Sequence, residues 1–288
     1  MLGRMIRAEL RARGPYSLRV SGRHASDACR VVVDGTFRST IRTEHGLERA
    51  EAVQRPDGTI VVRAGSEAGL EQVRWILGLD DDHSAFAREF ARDPLLGETL
   101  KRIRGLRPMR TQTVAQSLLR AVAGQLIKAK RAREIERAVV RAAAPSLDGL
   151  HAAPTCAELG RFSPAELARF GMGARRAGAL VRLCRAIELE RLKGLATHKA
   201  AARLERERGL GPWSVGVVCL EGLGRFERGL ARDLGLIKLA SALAGRWVEA
   251  EESDALLAPY GEWAGLASVY LLAGSAQNLI PTRSAVAA

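Results

Sequence analysis

The chain has 288 residues, enough to bury a sizeable core in one or two domains, and its 47% hydrophobic and 27% charged content is that of an ordinary globular protein. Its formal net charge of +13 sets it apart, because such an excess favours a polyanion through attraction to phosphates and release of condensed counterions, with nucleic acid first among partners. A high-GC genome's preference for arginine over lysine explains much of the arginine count but less of the sign. The first residues alternate charged and apolar side chains, and no apolar run is long enough to span a membrane. Neither a signal peptide nor a membrane partner is therefore expected, and the cytoplasm is the default location. Cys29, Cys156, Cys184 and Cys219 lie far apart in apolar or helical runs and read as buried thiols of a reducing compartment. The five histidines show no zinc-ligand spacing.

Residues 1–80 form a separate unit by pattern. Tyr16–Val20, Cys29–Val33, Thr36–Thr43 and Thr59–Arg63 are short β-prone runs, and Asp34-Gly35 and Asp57-Gly58 are turn signals. A small antiparallel sheet is expected. Ser66 is a candidate N-cap for a helix carrying Leu70, Val73, Trp75, Ile76 and Leu77, whose spacing suits it to cover one sheet face. The acidic run Asp80-Asp81-Asp82 marks a hinge, and helices dominate after it.

Between Lys101 and Arg133, ten basic residues with no acids among them surround the tripeptide Gly124-Gln125-Leu126. They form either a solvated face or a surface for a polyanion. Gly124 should interrupt the helical run that starts at Val114, leaving Gln125 and Leu126 on the turn before a second helix, Lys128–Ala143. Leu126 is then either a core residue or an exposed apolar wedge of the kind that enters a base stack. Ser163-Pro164-Ala165-Glu166 is a capping box with proline at the first helical position. The turn Gly171-Met172-Gly173, followed by the apolar stripe Ala177, Leu180, Val181, Cys184 and Ile187, reads as structural.

The most informative stretch is Arg208–Leu236. Gly209-Leu210-Gly211-Pro212 sits between two helical patterns, so the chain turns tightly there, with glycines freeing φ and Pro212 suited to open the next helix. This is a helix-hairpin-helix. Such a turn presents unpaired backbone N–H groups, here around Gly209, Gly211, Trp213 and Ser214, together with the positive end of a helix dipole, and so binds a phosphate without reading sequence. A Gly/Arg-rich loop then leads to Asp233, which stands just before the apolar run Leu234, Leu236, Ile237 and Leu239. Asp233 alone reads as an N-cap.

The residues RGLGPWS with the following RDLGL resemble the helix-hairpin-helix/Gly-Pro-Asp superfamily of DNA glycosylases, and the nearest pattern is that of the DNA-3-methyladenine glycosylase II group. Leu118–Ile127 is similar to that group's helix–GQL turn–helix. The resemblance implies an α+β protein. An N-terminal α/β domain over residues 1–80 precedes a two-lobed, all-α glycosylase domain over 84–282, with a cleft between residues 113–230 and residues 84–105 plus 234–280. It implies that Asp233 is the catalytic carboxylate at the cleft mouth and that Gln125 and Leu126 fill the gap left by a flipped base. Trp213 occupies the position where strand-cleaving members carry a Schiff-base lysine, which a tryptophan cannot replace. A monofunctional enzyme using water follows, with Trp213 either stacking on the extruded base or anchoring the second hairpin helix.

Val217 and Leu272 stand where the best-known type of the group has aromatic pocket residues, and Ala264 stands where many members have arginine. A less aromatic pocket leaves the excised base open. The resemblance further implies that the carbonyls of Glu205, Glu207 and Leu210 hold a structural Na+ or K+ ion. No other cofactor is expected, and nothing after Cys219 could supply a four-cysteine iron–sulfur loop. The partner is then double-stranded DNA containing alkylated bases, bound by a monomer on the nucleoid. Two other readings remain: a non-catalytic helix-hairpin-helix DNA-binding protein, and a glycosylase for deaminated or oxidised bases.

Overall fold

Alternation of buried and exposed side chains builds a five-stranded antiparallel sheet from β1 (Ile6–Leu10), β2 (Arg30–Val33), β3 (Thr36–Thr43), β4 (Gly46–Gln54) and β5 (Ile60–Ala64), in the order β1-β5-β4-β3-β2. The structure, a computed structural model, describes residues 5–24 and 27–282. β3 and β4 pair from Thr36↔Val53 to Thr43↔Gly46, and β1 closes the other edge with Ile6 opposite Ala64. The Asp34-Gly35 turn places both residues at positive φ (50° and 74°), the backbone that suits a two-residue hairpin. Ser66 caps the helix Glu67–Leu77 by accepting from the Gly69 N–H at 3.1 Å. That helix lays Leu70, Val73, Ile76 and Leu77 on Phe37, Ile41, Ala52, Ile60 and Val62.

Two expectations for this region are corrected. Tyr16–Val20 is not a strand: Ser17 Oγ accepts from the Val20 N–H at 3.3 Å and nucleates the single helical turn Leu18–Ser21. The acidic run is not a free hinge either. Asp81 pairs with Arg110 at 2.5 Å and Asp80 with Arg74 at 2.6 Å, while Asp82 accepts from the Ser84 N–H.

A second apolar cluster runs through the helices from residue 84 onward. Its central member is the helix Val114–Gly124, capped by Thr113 and buried almost all round, which packs against helices Ala129–Ala143, Ala174–Ala186 and Pro212–Val217. Beside this group, helix Ala264–Ala276 packs on Gly97–Arg102 and on Leu234–Ala244. Both halves of the expected capping box at Ser163 and Glu166 are formed. A small hairpin, Ser146–Leu147 with Leu150–His151, joins the helices to the sheet, since Thr40 Oγ1 reaches the carbonyls of Leu147 and Leu150 at 3.0 Å.

Charged side chains key the sheet unit to the helices. Arg107 is buried (1% exposed), bonds the carbonyls of Gly78, Arg13 and Pro15, and lies over the Tyr16 ring. Arg120 meets Asp27 at 2.7 Å, Glu136 at 2.9 Å and Glu221, and Asp27 also binds Arg30 at 3.0 Å. Burial lifts the Glu136 carboxyl above its usual range against the pull of Arg120. Three of the ten basic residues around the GQL tripeptide, Arg107, Arg110 and Arg120, are therefore internal ties and not a surface for a polyanion.

Candidate active site

The hairpin forms because Gly209 takes φ +97°, a conformation that L side chains rarely adopt, and Gly211 then caps the helix Pro212–Val217. The first intrahelical bond runs from the Val215 N–H to the Gly211 carbonyl at 3.0 Å. The N–H groups of Trp213 and Ser214 precede it and belong to the unpaired donors of a helix start. The helix then widens into a π-helical turn, Val218–Gly222, a feature that recurs at functional sites.

Asp233 is the N-cap of helix Leu234–Ala244, as its sequence position suggests, but capping uses only one of its oxygens. Oδ1 accepts from the Gly235 N–H at 2.7 Å, and Oδ2 accepts from the indole Nε1–H of Trp213 at 2.8 Å. The carboxylate is half-buried and held by two donors from two different helices. Leu272 lies alongside: its Cδ2 comes within 2.5 Å of the position a Cβ on Gly235 would take, and Asp233 Oδ1 within 3.0 Å. Val217, by contrast, is only 5% exposed and belongs to the apolar core.

Trp213 also touches the GQL turn. A Cβ on Gly124 would stand 2.6 Å from Cη2 of the indole, so a glycine is required where the central helix passes the ring. Gln125 completes the junction, donating through Nε2 to the Gly209 carbonyl at 2.8 Å and to Ser214 Oγ at 2.9 Å. Leu126 is fully exposed (103%) with φ +57°, which rules out the core reading for this residue. Gly124, Gln125, Gly209, Trp213, Ser214, Asp233 and Leu272 thus converge, with Leu126 projecting from the turn beside them.

Around the hairpin, the Arg208 carbonyl accepts from Arg182 at 2.6 Å, and the Glu207 carbonyl accepts from the Leu210 N–H at 3.1 Å. The Glu205 carboxylate pairs with Arg228 at 3.1 Å. Among the described residues, no group of three or more His, Cys, Asp or Glu side chains could hold a metal ion. No described helix is long and apolar enough to cross a membrane.

Two connections escaped the sequence. Glycine before Gln-Leu hints at a tight turn but not at an indole pressed on it. Arg176, on the helix after the Gly171-Met172-Gly173 turn, donates through Nη1 to the carbonyls of Ala123 and Gln125 at 3.1 and 3.0 Å, and no local motif announces that.

No family model matches the chain. A protein of Mycobacterium tuberculosis described as a probable bifunctional transcriptional activator/DNA repair enzyme AlkA is 26% identical over 280 residues, covering 92% of this chain and 56% of that protein. The chain thus spans little more than half the length of that relative. The DNA-3-methyladenine glycosylase of Bacillus subtilis is 26% identical over 255 residues, 84% of each chain. Among solved structures, a 3-methyladenine DNA-glycosylase from Archaeoglobus fulgidus superposes with a TM-score of 0.81 at 21% identity, over 93% of this chain and 98% of that one. The Clostridium acetobutylicum 8-oxoguanine glycosylase/lyase bound to double-stranded DNA gives 0.77 at 18% identity, over 97% and 100%.

A sheet unit joined to helices that carry a hairpin, with an aspartate opening the following helix, is the fold that the chain shares with these solved glycosylases, and its sequence resembles the helix-hairpin-helix/Gly-Pro-Asp superfamily of DNA glycosylases. Within that superfamily it resembles the DNA-3-methyladenine glycosylase II group.

Proposed function

We propose that the chain is a monofunctional DNA glycosylase of base excision repair that flips alkylated bases of the 3-methyladenine and 7-methylguanine type out of double-stranded DNA and hydrolyses the N-glycosidic bond. The observation that carries this reading is the Asp233 carboxylate, fixed by Trp213 and Gly235 beside an exposed Leu126 and the glycine hairpin that opens helix Pro212–Val217. Departure of the base with the bonding electron pair leaves oxocarbenium character on the sugar, which a fixed carboxylate stabilises. Water then bonds to C1′ and loses its proton, leaving an abasic site.

On this reading, the free N–H groups around Gly211, Trp213 and Ser214 take a backbone phosphate, Leu126 fills the emptied stack, and Trp213 and Leu272 border the extruded base. Val217 supports the pocket from the core. The same reading has the carbonyls of Glu205, Glu207 and Leu210 hold a structural Na+ or K+ ion; the Glu207 carbonyl, which accepts from the Leu210 N–H, keeps a second lone pair for it. Such an ion adds positive charge under the hairpin. No cofactor takes part in the hydrolysis, and the enzyme works as a monomer in the cytoplasm, associated with the nucleoid. The lobes 113–230 and 84–105 plus 234–280 form the two walls of the cleft.

The test is incubation with methylated duplex DNA and chromatographic identification of any released base. Release of methylated purines supports the reading. Release only from deaminated or oxidised DNA moves the substrate class, and tight binding with no release from any of these makes the chain a non-catalytic DNA-binding protein.

A further inference from the structure

Leu126 presents a physical difficulty. A β-carbon-bearing, aliphatic residue in the left-handed region costs about 1–2 kcal/mol, and with its side chain fully exposed it recovers nothing from burial in the free protein. Something else must fix the turn. The preceding residue is gripped twice: its side-chain amide by the hairpin, and its carbonyl by Arg176.

The Arg176 contact is placed at the weakest point of the element. Helix Val114–Gly124 ends just before Gln125, so the carbonyls of Ala123 and Gln125 fall where a helix runs out of N–H partners. One guanidinium nitrogen serves both, and a cation at a helix C-terminus also meets the negative end of the dipole. Arg176 gains nothing at home in return. It sits in the first turn of helix Ala174–Ala186, beside Arg175 and with no acid in that turn, where positive charge opposes the helix dipole. Its position is explained by what it holds. The neighbouring turn also comes close to the helix that leaves the GQL turn: a Cβ on Gly171 would collide with the guanidinium of Arg131.

We propose that Arg176 is a positioning residue for base extrusion: by bonding the carbonyls of Ala123 and Gln125 it holds Leu126 in the conformation in which it enters the gap. The Gly171-Met172-Gly173 turn and its helix are then the brace of the wedge. This rests on the glycosylase reading above, and the experiment separates the two.

Single-turnover base release is measured on duplex and on single-stranded DNA carrying the same methylated base, for the wild type, Arg176→Met, Leu126→Ala and the double variant. The methionine keeps the apolar stem and removes the donors. The expected result is a loss of about tenfold on duplex DNA for Arg176→Met, the size of one charge-assisted hydrogen bond, with little change on single strands, where there is no stack to fill. In the Leu126→Ala background Arg176→Met should lose nothing more. Equal losses on both substrates, or multiplicative losses in the double variant, would mean that Arg176 serves general stability and would overturn the proposal.

A parallel readout needs no chemistry: fluorescence of 2-aminopurine placed beside an abasic-site analogue in duplex DNA, followed as protein is added. If the wild type releases no base but unstacks the probe, and Arg176→Met and Leu126→Ala abolish the signal alike, the brace stands and the catalytic reading falls. If Leu126→Ala leaves both readouts unchanged, the brace falls and the glycosylase reading stands; if the wild type does not bind duplex DNA, both fall. Should Arg176→Met fail to fold, Arg176→Lys replaces it; it keeps the charge without the planar fork, and a loss confined to duplex DNA is again expected.

Discussion

The indole N–H of Trp213 donates to Oδ2 of Asp233 at 2.8 Å, so the aromatic residue of the hairpin and the acid of the next helix act as one unit. Asp233→Asn should abolish base release while DNA binding persists, because the amide keeps the size but offers no negative charge to the sugar cation. Trp213→Phe keeps a ring and removes the donor. Its single-turnover rate should fall about tenfold, the worth of one hydrogen bond to a charged group. Full activity in Asp233→Asn would remove Asp233 from the mechanism.

Gly124 is the counterpart of that bond on the opposite side of the ring. In Gly124→Ala the new methyl would meet the indole at 2.6 Å, so the ring must move, with a cost of about 1–3 kcal/mol for overpacking. A lower melting temperature and slower excision should appear together. An unchanged rate at wild-type stability would show that the ring's placement against Asp233 does not matter.

Leu126→Ala should behave differently from Gly124→Ala. An exposed side chain has little packing to lose, so unfolding free energy should stay within about 0.5 kcal/mol of wild type, well short of the roughly 2–5 kcal/mol of a core truncation. Lesion processing should weaken more than binding to undamaged duplex, whose affinity comes from phosphate contacts. Thermal melting beside single-turnover excision decides the matter.

Borohydride should trap no covalent adduct with lesion-containing DNA, since position 213 carries an indole and not the amine that a Schiff base requires. A protein–DNA band on a denaturing gel would overturn monofunctionality.

Acid should weaken the joint between the sheet and the helices through His83. This ring packs edge-on against Phe226, with centroids 4.7 Å apart, and burial, followed by Arg107 and Arg110, pushes its pKa down to about 3. The folded-state value lies below the unfolded one near 6.5, so the unfolded chain binds the proton first as pH falls. Stability is intact above about pH 6.5 and declines toward pH 3, at about 1.4 kcal/mol per unit. Denaturant titrations of wild type and His83→Phe should show the difference between them shifting against the wild type as the solution is acidified. A constant difference would place a proton on His83 in the folded protein.

How much of this was written legibly in the chain depends on range. Local signals are legible. Thr36–Thr43, the Ser66 cap, the Ser163 box and the helix after Asp233 are set by neighbours within a few residues, and they stand where the sequence puts them. β1 and β4 were missed because Ile6–Leu10 and Gly46–Gln54 are interleaved with arginine and glutamate and rich in alanine, and their strand character comes from partners across the sheet. Tyr16–Val20 departs from its β-prone pattern because one serine hydroxyl outweighs β-propensity. Within the site, Asp233 and the hairpin showed in the sequence as a spacing. The indole–carboxylate bond, the close pass at Gly124 and the inward turn of Arg120 join residues far apart in the chain, and only the fold brings them together.

If the chain is the glycosylase proposed above, the exposed Leu126 also bears on how a rare lesion is found. An intact base stack offers this side chain nowhere to go, so along undamaged DNA its apolar surface stays wet and contributes nothing to residence. Only a vacated position lets it dry. Burying a leucine is worth about 1.5–3 kcal/mol, which converts to roughly a tenfold to hundredfold longer stay where a base has left than where it has not. On that reading, a single methyl-tipped side chain gauges how firmly each base is stacked, sampled position by position before any bond is broken.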